Sequence, residues 1–282
     1  MLIKKLLSVI ALAVACVTAQ AAGGDYALEK APNRLTNQAA LQNGAKMFVN
    51  YCLNCHAATS MRYNKLRDIG LTDTQIKDNL LFSGEKVGDL MKVAMTSVDA
   101  KTWFGAPPPD LSVIARAKAT INGPSGADYI YTYLRTYYRD TTKPTGWNNL
   151  AFPNAGMPHV LWERQGPREY TSVVVHEVEK DGKKSWERVT KVYGPQGYWT
   201  ATTEPLVDYT GKATSGHGFK ALDKARATAY DSDIADLTAF LTWMSEPAQL
   251  LRKQIGVWVL LFLGIFFVVA WRLNASYWKH VK

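Results

Sequence analysis

Two cysteines and a histidine fall together in the run Tyr51-Cys52-Leu53-Asn54-Cys55-His56, and any fold that contains it must be built around what these three side chains bind. A C-x-x-C-H run is the attachment signature for c-type haem. Two thiols one helical turn apart can each form a thioether with one side of a porphyrin, and the imidazole that follows directly can reach the iron. C-x-x-C without the histidine would fit a redox dithiol or half a zinc site equally well. The cysteine count removes most of that choice. The chain has three cysteines, Cys16 falls in an N-terminal leader, and the two that remain are both in the motif. A structural zinc site takes four ligands, whereas His159, His176, His217 and His280 are scattered. The flanking strand pattern of a thioredoxin-like dithiol is also missing.

The two ends place the chain at a membrane. Met1-Leu2-Ile3-Lys4-Lys5 is followed by an apolar stretch from Leu6 to Val17 and then Ala19-Gln20-Ala21. This order of basic, apolar and small residues reads as a secretory leader over 1–21. At the far end Gln254–Trp271 is uncharged and mostly apolar, lies between Arg252-Lys253 and Arg272, and is hydrophobic on every face. It reads as one membrane span within an anchor and short tail over 251–282, with Trp258, Trp271, Tyr277 and Trp278 suited to the interfaces. Export of the N-terminus puts the 22–250 domain in the periplasm of a bacterial inner membrane, and the C-terminus in the cytoplasm.

The formal net charge of +9 does not imply a nucleic-acid partner. Seven of the 33 basic residues (Lys4, Lys5, Arg252, Lys253, Arg272, Lys279, Lys282) lie in the end segments, which carry no acid. The domain between them has 26 basic against 24 acidic residues and is near neutral. Its size suffices for one sizeable core.

Within that domain Leu41, Ala45, Phe48 and Cys52 share one helical face, with Thr36 or Asn37 as N-cap. Ile234, Leu237, Leu241 and Met244 share another beside Phe240, with Asp231 or Ser232 as cap and Pro247 as the break. Further helices are expected over 73–81, 111–119 and 129–138. Thr171–Val178 and Trp186–Val192 read as a β-hairpin turning at Asp181-Gly182, inside a Gly-rich, charged tract (163–221) that reads as an insertion. The expected fold is mainly α, with loop and hairpin insertions and one C-terminal transmembrane helix.

An iron held by His56 has a sixth position, and its occupant decides function: methionine raises the potential, histidine lowers it, and an open site permits ligand chemistry. Met47 and Met61 are badly placed, and Met244 lies on a core face. Met91 and Met95 read as one helical stripe. Met157 is best placed, in the irregular loop Phe152-Pro153-Asn154-Ala155-Gly156-Met157-Pro158, while Met91, Met95 and His159 remain alternatives.

The motif is followed in order by Ala106-Pro107-Pro108-Pro109-Asp110-Leu111-Ser112 with Arg116, by Asp128-Tyr129, and by Lys143-Pro144-Thr145-Gly146. Next come Phe152-Pro153 with Gly156-Met157-Pro158, and finally Phe240-Leu241-x-Trp243-x-x-Glu246-Pro247 before the span. This succession resembles the cytochrome c1 family over nearly the whole mature chain. The resemblance implies a cytochrome c-like domain carrying one covalent haem c, with thioethers at Cys52 and Cys55 and axial ligands His56 and Met157. It further implies Arg116 at a haem propionate, and Pro109, Leu111 and Tyr129 packed against the haem. The implied role is a one-electron carrier that is no enzyme alone. It would sit beside cytochrome b in a bc1-type complex, dimeric by family likeness, and pass electrons from the Rieske iron–sulfur subunit to a cytochrome c. The other reading is a tethered monohaem cytochrome serving a different reductase or dehydrogenase. Mitochondrial members carry acidic patches for a basic cytochrome c, and the near-neutral domain departs from them there.

Overall fold

Asn37 opens the first helix: in extended backbone, its side chain accepts from the Ala40 amide at 3.1 Å. The structure is a computed structural model that describes residues 26–180 and 183–280. The leader expected over 1–21, the Asp181-Gly182 turn and Lys282 lie outside the described residues. Helix α1 (Gln38–Met47) widens into a π-helical turn, Phe48–Cys52, that ends at the first cysteine. A short strand β1 (Ala58–Arg62) follows the motif and leads through a 3₁₀ turn to α2 (Asp73–Asn79). Strand β2 (Leu90–Met91) pairs back on β1, and the chain continues through α3 (Ser97–Phe104) and α4 (Ile114–Ala117). Helix α5 (Gly126–Arg135) precedes the antiparallel pair β3 (Tyr137–Arg139) and β4 (Trp147–Asn149). After α6 (Trp162–Gln165) come β5 (Arg168–Lys180), β6 (Lys183–Tyr193), β7 (Trp199–Leu206) and β8 (Thr214–Ala221), then α7 (Lys224–Ser245) and α8 (Gln249–Tyr277).

Two helices make the core that carries the motif. Leu41, Ala45 and Phe48 from the first meet Ile234, Leu237 and Phe240 from α7, all buried, with the Phe48 and Phe240 rings 5.7 Å apart. The crossing is close because Gly44 has no side chain. A Cβ there would stand 2.3 Å from the Asp236 carbonyl oxygen and 2.6 Å from Phe240 Cβ.

Several elements begin or end elsewhere than periodicity suggests, each for a local reason. Helix α7 starts at Lys224, capped by Asp223 accepting from the Arg226 amide at 2.9 Å, so Asp231 and Ser232 lie inside it. Its packing face reaches further back, to buried Tyr230, whose hydroxyl donates to the Leu134 carbonyl at 2.7 Å. Helix α4 is short because Asp110 and Ser112 hold the preceding residues against β1. Helix α5 starts at Gly126, set by the reciprocal Ser125–Asp128 capping box. Met91 lies in a strand, so it and Met95 form no helical stripe.

The expected hairpin strands pair antiparallel, Thr171 opposite Val192 and Val178 opposite Ser185, but they are the middle of a four-stranded sheet of order β7-β6-β5-β8. Helices therefore make the core, while the described chain carries a substantial β component beside it. The sheet is fastened at one end by aromatic contacts, Tyr138 lying 4.2 Å from Tyr170 and 5.0 Å from Tyr193, centroid to centroid. Helix α8 has 29 residues, its most apolar stretch averages a hydropathy of 2.3, and none of that stretch is buried. Among the described residues it alone is long and apolar enough to cross a membrane.

Candidate haem site

The C-x-x-C-H turn closes on one carbonyl. The Cys55 and His56 amides both point at the Cys52 oxygen, at 3.1 and 2.8 Å, so the motif folds back after the π-helical turn. Cys52 is buried and Cys55 half-buried. Burial, then the neighbouring Cys55, pushes the Cys52 thiol up to about 12. A thiol so held is a poor thiolate metal ligand.

His56 is buried, and its Nδ1 lies 2.7 Å from the Pro109 carbonyl oxygen. A carbonyl can only accept, so Nδ1 carries the proton and Nε2 is left bare, the state a metal-ligating imidazole needs. Burial lowers the His56 pKa and so favours the neutral ring, an effect partly offset by this hydrogen bond and by the Asp110 charge. Pro109 thus contributes its backbone oxygen, while its ring is exposed.

Asp110 and Ser112, which belong to the 106–112 run but carry no role of their own in the sequence reading, keep that carbonyl in place. Asp110 accepts from the Thr59 amide and hydroxyl, both at 2.8 Å, and from the Ser112 amide at 2.8 Å. The Ser112 hydroxyl accepts from the Ser60 amide at 3.0 Å, and the Leu111 amide donates to the Ala57 carbonyl at 2.8 Å. Partial burial works against the Asp110 charge, yet the bonds from Ser112 and Thr59 hold its carboxyl below the usual range.

Met157 packs half-buried against the same apolar cluster that contains Cys52, Leu111 and, at its margin, Tyr129. Its loop is pegged by two buried asparagines on β4. Asn148 accepts from the Asn154 amide at 2.8 Å. Asn149 accepts from the Phe152 amide at 3.0 Å and donates to the Tyr133 carbonyl at 2.7 Å. Asn154 adopts a left-handed φ of 61°, which asparagine tolerates better than most residues. His159 is enclosed by Tyr137, stacked at 4.8 Å, by Trp147 at 4.9 Å and by Tyr230 at 6.0 Å. Burial, then the Arg168 charge, lowers its pKa to about 3. Arg116 is exposed on α4 with no ion-pair partner among the described residues, its charge reaching Glu246 at longer range.

Cys52, His56, Pro109, Leu111, Tyr129 and Met157 are therefore gathered by contact or common cluster, and Arg116 stands outside it. Two thiols in one turn beside a histidine with Nε2 bare suit a covalently attached haem. No group of three His, Cys, Asp or Glu residues among those described could hold a metal ion by itself.

Comparison with known proteins agrees. A model of the cytochrome C1 family matches residues 29–281. A cytochrome c1 of Allochromatium vinosum is 39% identical over 279 residues, covering 99% of both chains. A protein of Nitrosomonas europaea named ammonia monooxygenase gamma subunit is 37% identical, covering 96% of both. A cytochrome c1 of Rhodospirillum rubrum is 26% identical over 87% of this chain and 83% of its own.

Proposed function

The chain belongs to the cytochrome c1 family, and on that premise we propose that it is the carrier through which a quinol:cytochrome c reductase delivers single electrons to a cytochrome c. Membership makes it a membrane-anchored electron-transfer subunit of bc1-type complexes with covalent haem c. The finer reading assigns thioethers to Cys52 and Cys55, axial ligation to His56 and Met157, and a propionate contact to Arg116. Leu111, Tyr129 and the Pro109 segment line the haem. The donor is the Rieske subunit, the neighbour in the bilayer is cytochrome b, and the complex is a dimer. Residues 1–21 are removed, 22–250 face the periplasm with 163–221 inserted, and the C-terminus is cytoplasmic.

The carrying observation is the bond from His56 Nδ1 to the Pro109 carbonyl, which leaves Nε2 bare beside the two thiols. Bound haem supplies one-electron chemistry. The residues do the rest: His56 is held in one tautomer, and Asp110 fixes the segment that holds it. The apolar cluster with Cys52, Leu111 and Met157 keeps water away. A soft methionine sulfur with low polarity around it raises a reduction potential. Met157 is favoured over His159 because the histidine ring is enclosed by aromatic neighbours, and over Met91 because that residue is fixed in a strand.

The Nitrosomonas relative, named for a different oxidoreductase, supports a second reading in which a similar tethered cytochrome serves another enzyme. Purifying the chain from its native membrane through a C-terminal tag separates the two. Recovery with cytochrome b and an iron–sulfur protein, and reduction by added quinol, is the result expected. Recovery with another oxidoreductase and no quinol response would favour the second.

A further inference from the structure

We propose that the Tyr137 hydroxyl, donating to the Met157 carbonyl, sets the Met157 backbone and makes Tyr137 a positioning residue for the iron's sulfur ligand. The inference rests on Met157 being that ligand.

One phenol proton faces two acceptors. The Tyr137 hydroxyl lies 3.0 Å from the Met157 carbonyl oxygen and 2.6 Å from the Tyr133 hydroxyl. Tyr137 is the donor in both contacts, so its single proton is shared between the Met157 carbonyl and the Tyr133 oxygen. Tyr137 is fully buried, where an unmade hydrogen bond is costly.

The same ring grips the loop twice. While its hydroxyl holds residue 157, its face stacks on His159 at 4.8 Å and 4°. Tyr133 in turn stacks on Tyr129 at 6.0 Å and 11°. Pro158 follows Met157 and restricts that residue to extended backbone. With the dihedral range limited and the carbonyl pinned, little freedom remains in where the thioether leaves the chain. A lost pin therefore acts on the ligand rather than on the fold at large.

The test uses full-length, membrane-bound holoprotein carrying Tyr137→Phe, which keeps the ring and its stacking and removes only the hydroxyl. The readouts are the ferric methionine-to-iron charge-transfer band and carbon monoxide binding by the ferrous form. The fraction with methionine detached should rise about fivefold, the equilibrium factor of one net hydrogen bond. Tyr133→Phe, which removes the competing acceptor, should not raise it. Tyr230→Phe, which loses an equally buried hydroxyl on the Leu134 carbonyl, should melt earlier and leave the band alone. A wild-type band and wild-type carbon monoxide binding in Tyr137→Phe overturn the proposal, as does an equal effect from Tyr230→Phe. Met157→Leu run in parallel separates the two failures. Should it leave the band intact, the ligand reading fails and the positioning role with it. Should it abolish a band that Tyr137→Phe does not move, only the positioning role fails.

Discussion

A backbone oxygen does for His56 what a carboxylate does in many metal sites: it fixes the tautomer and aims the ring. The consequence is that the side chain at position 109 matters less to the histidine than the path of the chain, and Asp110 sets that path. Asp110 is 51 residues from Thr59, so no local pattern announces their bond. Cysteine spacing, by contrast, is local chemistry, and the haem motif could be read from the chain alone. Asp128 shows the same divide. Its place as a helix cap is visible nearby, but its grip on the Ala31 amide at 2.8 Å, across 97 residues, is not. Burial raises its pKa, and the bonds from Ala31 and Ser125 outweigh that and hold it below the usual range. A depressed folded value stabilises above the unfolded pKa of about 3.9, and that contribution is lost as pH falls through the folded value. Asp128→Asn should cost about 1–2 kcal/mol at neutral pH. Denaturant melts at stepped pH should show mutant and wild type converging below about pH 4. A gap that stays constant into acid would refute the assignment.

At the scale of elements, helix faces were legible because an apolar stripe has one period. Their ends were legible where a local cap sets them, as at Asn37 and at the start of the Asp73 helix, and not where tertiary contacts do. The back-extension of α7 to Asp223 follows from Tyr230 reaching the Leu134 carbonyl, a contact no single-helix pattern contains. Gly44 is the sharpest case. In sequence it is a weak helix residue, and only the crossing with α7 explains it, since the obstacle to a Cβ is the Asp236 backbone. Gly44→Ala should destabilise the holoprotein by about 1–3 kcal/mol despite its better helix propensity. Equilibrium unfolding followed by tryptophan fluorescence measures this, and a gain in stability would mean the helices are further apart than described.

At the scale of the molecule, the haem domain and the anchor are joined by a break, not a shared core. Helix α7 ends at Ser245, Pro247 follows, and α8 begins at Gln249 with no buried residue. A chain ending at Ala248 should therefore be released as a soluble protein with the full-length optical spectrum. Loss of the haem spectrum on truncation would show that the anchor supports the fold. The β7-β6-β5-β8 sheet was legible only as a hairpin. Val-rich β5 announces itself, whereas β8, with Gly216 and Gly218, takes its strand form from pairing.

On the proposed reading His56 and Met157 would ligate the iron and make this chain a relay. The most direct measurement is a spectroelectrochemical titration of the membrane-bound protein, wild type beside Met157→Leu. The account predicts a low-spin wild type, and a variant that loses methionine ligation with a large fall in potential. An unchanged spectrum and midpoint in Met157→Leu would contradict it and move the sixth ligand to another residue.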